Sequence, residues 1–243
     1  MLGILEYGLF ALSFVGIYGI LALGLNVQWG MTGLFNIGVA AFFAVGAYTS
    51  GILTAPPTDA HLGGFDLAIP FGVAGAIVTS GILAFLVGII TMKLRADYLA
   101  IATIGIAEII RLATKNEAWL TGGVRGMPDI PRPFDELSWM SFELGFFLLV
   151  AVLVVLAFLL VEAARRSPWG RVLRGIRENE ESVLAAGKDA VSFRLQAFIF
   201  GACLMGLGGA LYAHFNAFIS PITYLCVLLG AVVRSVAHNQ YDG

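Results

Sequence analysis

The residues able to do chemistry are few, and they fall in four places. Glu108, Arg111 and Lys115 interrupt an apolar stretch at spacings of three and four, which puts all three on one face of a helix. Counted from Arg95 at ~1.5 Å per residue, Glu108 lies roughly 20 Å along that helix. In a hydrocarbon core ~30 Å thick this is past the midplane, where a charge is costly unless it meets an opposite charge or a water-filled cavity. Two readings follow: a Glu108–Arg111 pair that neutralises itself and fixes helix packing, or a pair that lines a translocation pathway.

The second place is the uncharged, glycine-rich run 26–38, which includes Thr32 and Asn36. Its simplest form is a tight turn at 28–33 between two apolar segments. The alternative is a broken helix whose free backbone groups line a cavity, a device of solute carriers. The third place is the segment 163–192, with Arg165, Arg166, Arg171, Arg174, Arg177 and Lys188. Within it, Ser167-Pro168 predicts a helix start: the serine caps free N–H groups and the proline takes the first helical position. Val172, Leu173 and Ile176 share one face of that helix, and Arg171, Arg174 and Arg177 another. A second short helical pattern carries Glu180 and Glu181 and ends at Gly187. Such an element lies on lipid headgroups as a basic anchor, docks a cytoplasmic partner, or does both. Fourth, Ala202, Gly206 and Ala210, with Gly209 and Ala213, form rows of small residues that let helices approach closely. His214 closes that stripe as a packed or capping residue.

The missing motifs also narrow the field. There is no G-x-x-x-x-G-K-[ST] phosphate loop, no H-E-x-x-H zinc pair and no G-x-S-x-G nucleophile elbow, so neither a catalytic set nor a metal site is expected. Cys203 and Cys226 both sit in apolar segments and read as buried thiols.

The elements that must position these groups follow from composition. Only 12% of the 243 residues are charged, against about 25% in a soluble domain, and 59% are hydrophobic. Mean hydropathy is +0.89. So few charges cannot cover a soluble surface, and disorder requires the opposite composition. A net charge of −2 predicts no nucleic-acid partner. Charge is absent from 7–58, 67–92, 144–161 and 195–233. At about 20 residues per crossing, these runs predict an all-α polytopic transmembrane bundle of about seven spans, with a range of six to eight. The spans are expected near 7–27, 34–54, 68–92, 97–116, 143–162, 193–214 and 221–235. Basic residues mark the inner side at Lys93, Arg95, the 163–192 loop and Arg234. The 55–66 loop, with Asp59 and Asp66, and the 117–142 segment are then external, and the N-terminus is outside. The whole of 1–243 reads as one membrane domain embedded in the lipid bilayer.

Three stretches carry a family resemblance. The first is 32–48, beginning Thr32-Gly33-Leu34-Phe35-Asn36. The second runs from Leu94-Arg95-Ala96-Asp97-Tyr98 through Ala107-Glu108-Ile109-Ile110-Arg111 to Leu120-Thr121-Gly122-Gly123-Val124-Arg125-Gly126-Met127-Pro128. The third runs from Ser167-Pro168-Trp169-Gly170-Arg171 through Gly187 to Gly208-Gly209-Ala210-Leu211-Tyr212-Ala213. Together they resemble the permease subunit of branched-chain amino acid ABC transporters, in the member of the permease pair with the longer external loop. The Thr121-Gly122-Gly123 loop is the most specific element.

The resemblance implies a coupling role for the 163–192 loop. In such importers a Glu and a Gly six residues apart dock into a cleft of the ATPase, and Glu181 and Gly187 fit that spacing. Ser182 and Val183 depart from the small residues that the family carries after the Glu. The resemblance further implies a second permease subunit, cytoplasmic ATPase subunits that use ATP, and an external solute-binding protein, in the plasma (inner) membrane of a prokaryote. This chain itself would bind no cofactor and catalyse no covalent step. The resemblance fades after Ser220-Pro221; residues 236–243 are unmatched, and a C-terminally shortened chain is expected. The rival readings are a urea or amide permease of the same superfamily, an ion-coupled carrier using Glu108 and Arg111, and a membrane scaffold that transports nothing.

Overall fold

The computed structural model describes residues 2–57, 64–92, 96–134 and 141–221. Asp59, Lys93, Arg95, Cys226, Arg234, nearly all of the span expected at 221–235 and the tail 236–243 lie outside the described residues. Helix α1 (Leu2–Leu25) runs directly into a π-helical turn (Asn26–Gly30). There follow α2 (Val39–Thr54), α3 (Ile69–Thr91), α4 (Ala96–Asn116), α5 (Ala118–Thr121), a 3-10 turn (Gly123–Arg125), α6 (Phe142–Arg166), α7 (Pro168–Glu178), α8 (Glu180–Ala185) and α9 (Ala190–Asn216). The fold is all-α. Among the described residues, four helices are long and apolar enough to cross a membrane: Glu6–Gly30, Ile69–Thr91, Phe142–Arg166 and Ala190–Asn216. Helix α2 is apolar but shorter. The 21 residues of α4 would reach about 31 Å, but Glu108, Arg111 and Lys115 interrupt its apolar surface.

Helix α9 is the centre, packed against α1, α2 and α3. Its small residues explain why. Backbone meets backbone where Gly46 of α2 faces Gly206, and a Cβ on Gly206 would come within 2.8 Å of the Ala76 carbonyl of α3. A side chain on Gly206 would push α3 off α9, and one on Gly46 would push α2 off it. Helix α3 answers with its own row, since Gly72, Ala76, Ser80, Ala84 and Gly88 are buried at intervals of four. Its opposite face leaves Phe71, Val78, Ile82, Phe85 and Ile89 exposed, as a lipid-facing helix does. Cys203, half-buried rather than fully buried, lies at this α3–α9 contact.

The contacts also set direction. Near one end of the bundle, Phe10 and Phe14 of α1 and Phe142 and Phe146 of α6 surround Phe215 of α9, with ring centroids 4.8–6.2 Å apart. At the other end, the Gln28 amide of the π turn donates to the Phe198 carbonyl at 2.8 Å. Helices α1, α2, α3, α4, α6 and α9 therefore run alternately up and down, with α7 and α8 at the Phe198 end.

One boundary differs from the expected pattern. Residues 28–33 do not form a tight turn. The first helix continues to Thr32, and the second begins only at Val39. Gln28, Thr32 and Asn36 satisfy the backbone internally, so the chain can stay inside the bundle instead of turning at its surface.

Candidate functional site

The 26–38 segment is a polar knot within apolar helices. Its π turn closes with the Met31 amide donating to the Asn26 carbonyl. Gln28, Thr32 and Asn36 are all buried. The Asn36 amide donates to Gln28 Oε1 at 2.7 Å, while Asn36 Oδ1 accepts from the Gly38 amide at 2.8 Å at the start of α2. The Thr32 hydroxyl donates to the Gln28 carbonyl and accepts from the Leu34 amide. Thr103 of α4 accepts from the Ile37 amide at 3.2 Å. One irregular segment thus holds α1, α2, α4 and α9 together. Unpaired polar groups at this depth would be expensive, so each amide and hydroxyl has a job in keeping the helix broken.

Five residues beyond Thr103, about 7.5 Å further along α4, Glu108 and Arg111 form a bidentate pair at 2.8 and 2.5 Å. Helix α4 buries only a narrow stripe, chiefly Leu99, Ala100, Thr103 and Ala107, mainly against α2. Glu108 is left half-exposed, and Lys115 is exposed on the same side. The pair neutralises itself, yet it is not covered by the other described residues.

The helical pieces of 163–192 are α7 and α8. Ser167 Oγ accepts from the Gly170 amide, and Pro168 begins α7; Asn179 caps α8 in the same way. Leu173 and Ile176 are buried, and Arg171 and Arg174 lie on the exposed face. Besides the packing of Leu173 and Ile176 in the core, three side-chain hydrogen-bond contacts among the described residues fasten these helices to the bundle. Glu180 takes two hydrogen bonds from Arg194 of α9, at 2.9 and 2.7 Å. Trp169 donates to Gln196 of α9 at 2.9 Å. Arg177 donates to the Gly30 carbonyl of the π turn at 2.5 Å. Glu181 and Gly187 instead face outward, and nothing lies within 4 Å of where a Gly187 Cβ would be.

At the opposite end, residues 117–134 form a cap. The Thr121 hydroxyl donates to the Thr114 and Glu117 carbonyls, at 2.6 and 2.9 Å, and accepts from the Gly123 amide. Gly122 and Gly123 both take positive φ. Met127 pairs with Ile219 in a two-bond bridge. His214, buried, bonds Ser50 of α2 and the Pro131 carbonyl, each at 2.8 Å. The 117–134 segment is thereby clamped over the ends of α2 and α9.

The structure joins Arg177 to the segment that holds Thr32 and Asn36, Glu180 to Arg194, and Glu108 to Arg111. It keeps the Thr121-Gly122-Gly123 loop at the far end from α7 and α8. The residues missed in the sequence are Gln28, Thr103, Arg194 and Ser50, the partner of His214. Gln28 had a signal, as an amide in an otherwise apolar run. Thr103, Ser50 and Arg194 had none, because their partners are distant in the chain.

The family described as "Branched-chain amino acid transport system / permease component" matches residues 8–236. The chain belongs to this family. Among curated relatives, it is 33% identical over 231 residues to the high-affinity branched-chain amino acid transport system permease protein LivM of Salmonella typhimurium, covering 86% of this chain and 52% of that protein. It is 32% identical to the protein of the same name from Escherichia coli, with the same coverage. It is 30% identical to the probable branched-chain amino acid transport permease protein LivM of Methanocaldococcus jannaschii, over 90% of this chain and 73% of that protein. The chain spans about half the length of the first two. No solved structure gives a significant match. With its apolar helices, membership of this permease family makes the chain a multi-pass membrane protein.

Proposed function

We infer that the chain is a membrane-spanning permease component of an ATP-driven importer of branched-chain or related amino acids. The observation that carries this reading is the family match over residues 8–236. Transport proceeds by alternating access, and the protein's part is to hold two arrangements that other subunits bias. ATP is bound and hydrolysed on cytoplasmic ATPase subunits, and this chain needs no cofactor of its own. A second permease subunit covers the uncovered face of α4, and an external solute-binding protein delivers the amino acid at the 117–134 cap. The membrane is the plasma membrane of a prokaryote, with the N-terminus and the cap outside and α7 and α8 inside.

Helices α7 and α8 suit the coupling role mechanically. They are short, capped at both starts, and pinned to α9 by Glu180–Arg194 and Trp169–Gln196. A push on the outward-facing Glu181–Gly187 surface is therefore passed to the bundle as a rigid-body movement. Glu108 and Arg111, with Thr32 and Asn36 on the neighbouring broken helix, are the residues assigned to the pathway. The deciding experiment is uptake of labelled leucine by cells making all the subunits, with and without this chain. Uptake should depend on the chain; equal uptake without it would overturn the assignment.

A further inference from the structure

The contact between Arg177 and Gly30 joins two features that the family match does not connect: the cytoplasmic helix pair and the end of a broken transmembrane helix. The geometry at Gly30 is specific. Helix α1 and its π turn end at Thr32, so the last carbonyls of the helix have no following turn to donate to them. The Trp29 carbonyl is taken by the Gly33 amide and the Gln28 carbonyl by the Leu34 amide. Gly30 is served instead by a guanidinium 147 residues away, at 2.5 Å. A cation at this position also meets the negative end of the helix dipole. The arginine stem completes the contact. Gly33 has φ +73°, a left-handed turn that favours glycine, and a Cβ there would touch Arg177 Cγ at 3.5 Å.

Beyond Gly33 the chain passes through the Gln28–Asn36 bond to α9, through Ile37–Thr103 to α4, and through Asn36–Gly38 into α2. Whatever moves Arg177 therefore acts on the one segment that touches all four of these helices. The other two fastenings of α7 and α8 reach α9 only.

We propose that Arg177 is the positioning residue that transmits movement of the coupling helices to the broken helix, by capping the carbonyl end of α1 at Gly30 and packing its stem on the Gly33 turn. Arg177 touches no solute and is exposed, so its weight lies in geometry rather than in stability. The inference rests on the permease reading above.

The test uses the assembled transporter in vesicles, with two conservative variants and two measurements. Arg177→Met keeps the stem and removes the donors; Arg177→Lys keeps a cation that can reach the carbonyl. The first measurement is hydrogen exchange of the amides 30–38. Exchange should rise at least tenfold in Arg177→Met and less in Arg177→Lys. The second is labelled leucine moved per ATP hydrolysed. It should fall at least tenfold in Arg177→Met, with ATP hydrolysis held within twofold, and stay above a third of wild type in Arg177→Lys. Unchanged exchange, unchanged solute per ATP in Arg177→Met, or a lysine variant as uncoupled as the methionine one would each overturn the proposal. A wild-type complex that hydrolyses ATP but moves no amino acid counts against the permease reading instead, and the exchange comparison alone then decides the Arg177 contact.

Discussion

Helices α9 and α4 are built on opposite plans. Around α9, glycines and alanines bring backbones together, and α1, α2 and α3 pack on it so closely that most of its residues are buried. Helix α4 is of similar length, but it touches its neighbours along one stripe and leaves Ile101, Ile109, Glu108 and Lys115 exposed. Stability is thus concentrated in one helix and unpaired surface in the other. A helix packed on every side has one arrangement, and any added atom must displace a neighbour. A helix held by a narrow stripe and one hydrogen bond to an irregular segment can shift without dismantling the core. The charged pair sits on the second kind of helix.

That contrast can be broken at its strong end first. Gly206→Leu should cost about 3 kcal/mol or more, because its Cβ alone would already overlap Ser80 and the Ala76 carbonyl of α3. The expected result is loss of monodisperse protein after detergent extraction; a yield and melting temperature like those of wild type would remove α9 from the centre of the fold. Gln28→Leu should cost about 2 kcal/mol, since the Phe198 carbonyl and the Asn36 amide lose their partner in a buried site. Thermal unfolding in detergent measures it.

Gly187→Leu should cost about 1 kcal/mol for the left-handed backbone and meet no steric barrier. Assembly should survive while leucine uptake per ATP falls severalfold; unchanged coupling in reconstituted vesicles would remove Gly187 from the docking surface. Glu108→Gln should disturb the packed core least, because neither Glu108 nor Arg111 is buried among the described residues. Its effect belongs to transport, where uptake should drop severalfold with normal membrane assembly. Full uptake by Glu108→Gln would leave the pair a packing device.

Much of this was legible in advance, for identifiable reasons. Charge-free runs mark the crossings because lipid tolerates little else, and α3, α6 and α9 appear within a few residues of the expected 68–92, 143–162 and 193–214. Ser167, Pro168 and Gly187 mark the start of α7 and the stop of α8 because capping is local chemistry between near neighbours. The i to i+3 spacing was enough to bring Glu108 to Arg111, since a helix surface makes them neighbours whatever surrounds it. The 28–33 turn misled because glycine and amide residues serve a turn and a broken helix equally well. What separates the two is whether distant groups satisfy the segment.

The sequence by itself determined an all-helical membrane protein, the locally capped starts and stop of α7 and α8, and the charged residues that apolar surroundings make costly. These follow from composition and from interactions spanning a few residues. Only the tertiary structure decided that α9 is the central helix, that Gln28 and Thr103 keep the first helix broken, and that Arg177 caps its end. Each of those contacts joins residues far apart in the chain. Their partners exist only once the helices have packed and the polar groups of one segment must be answered by another.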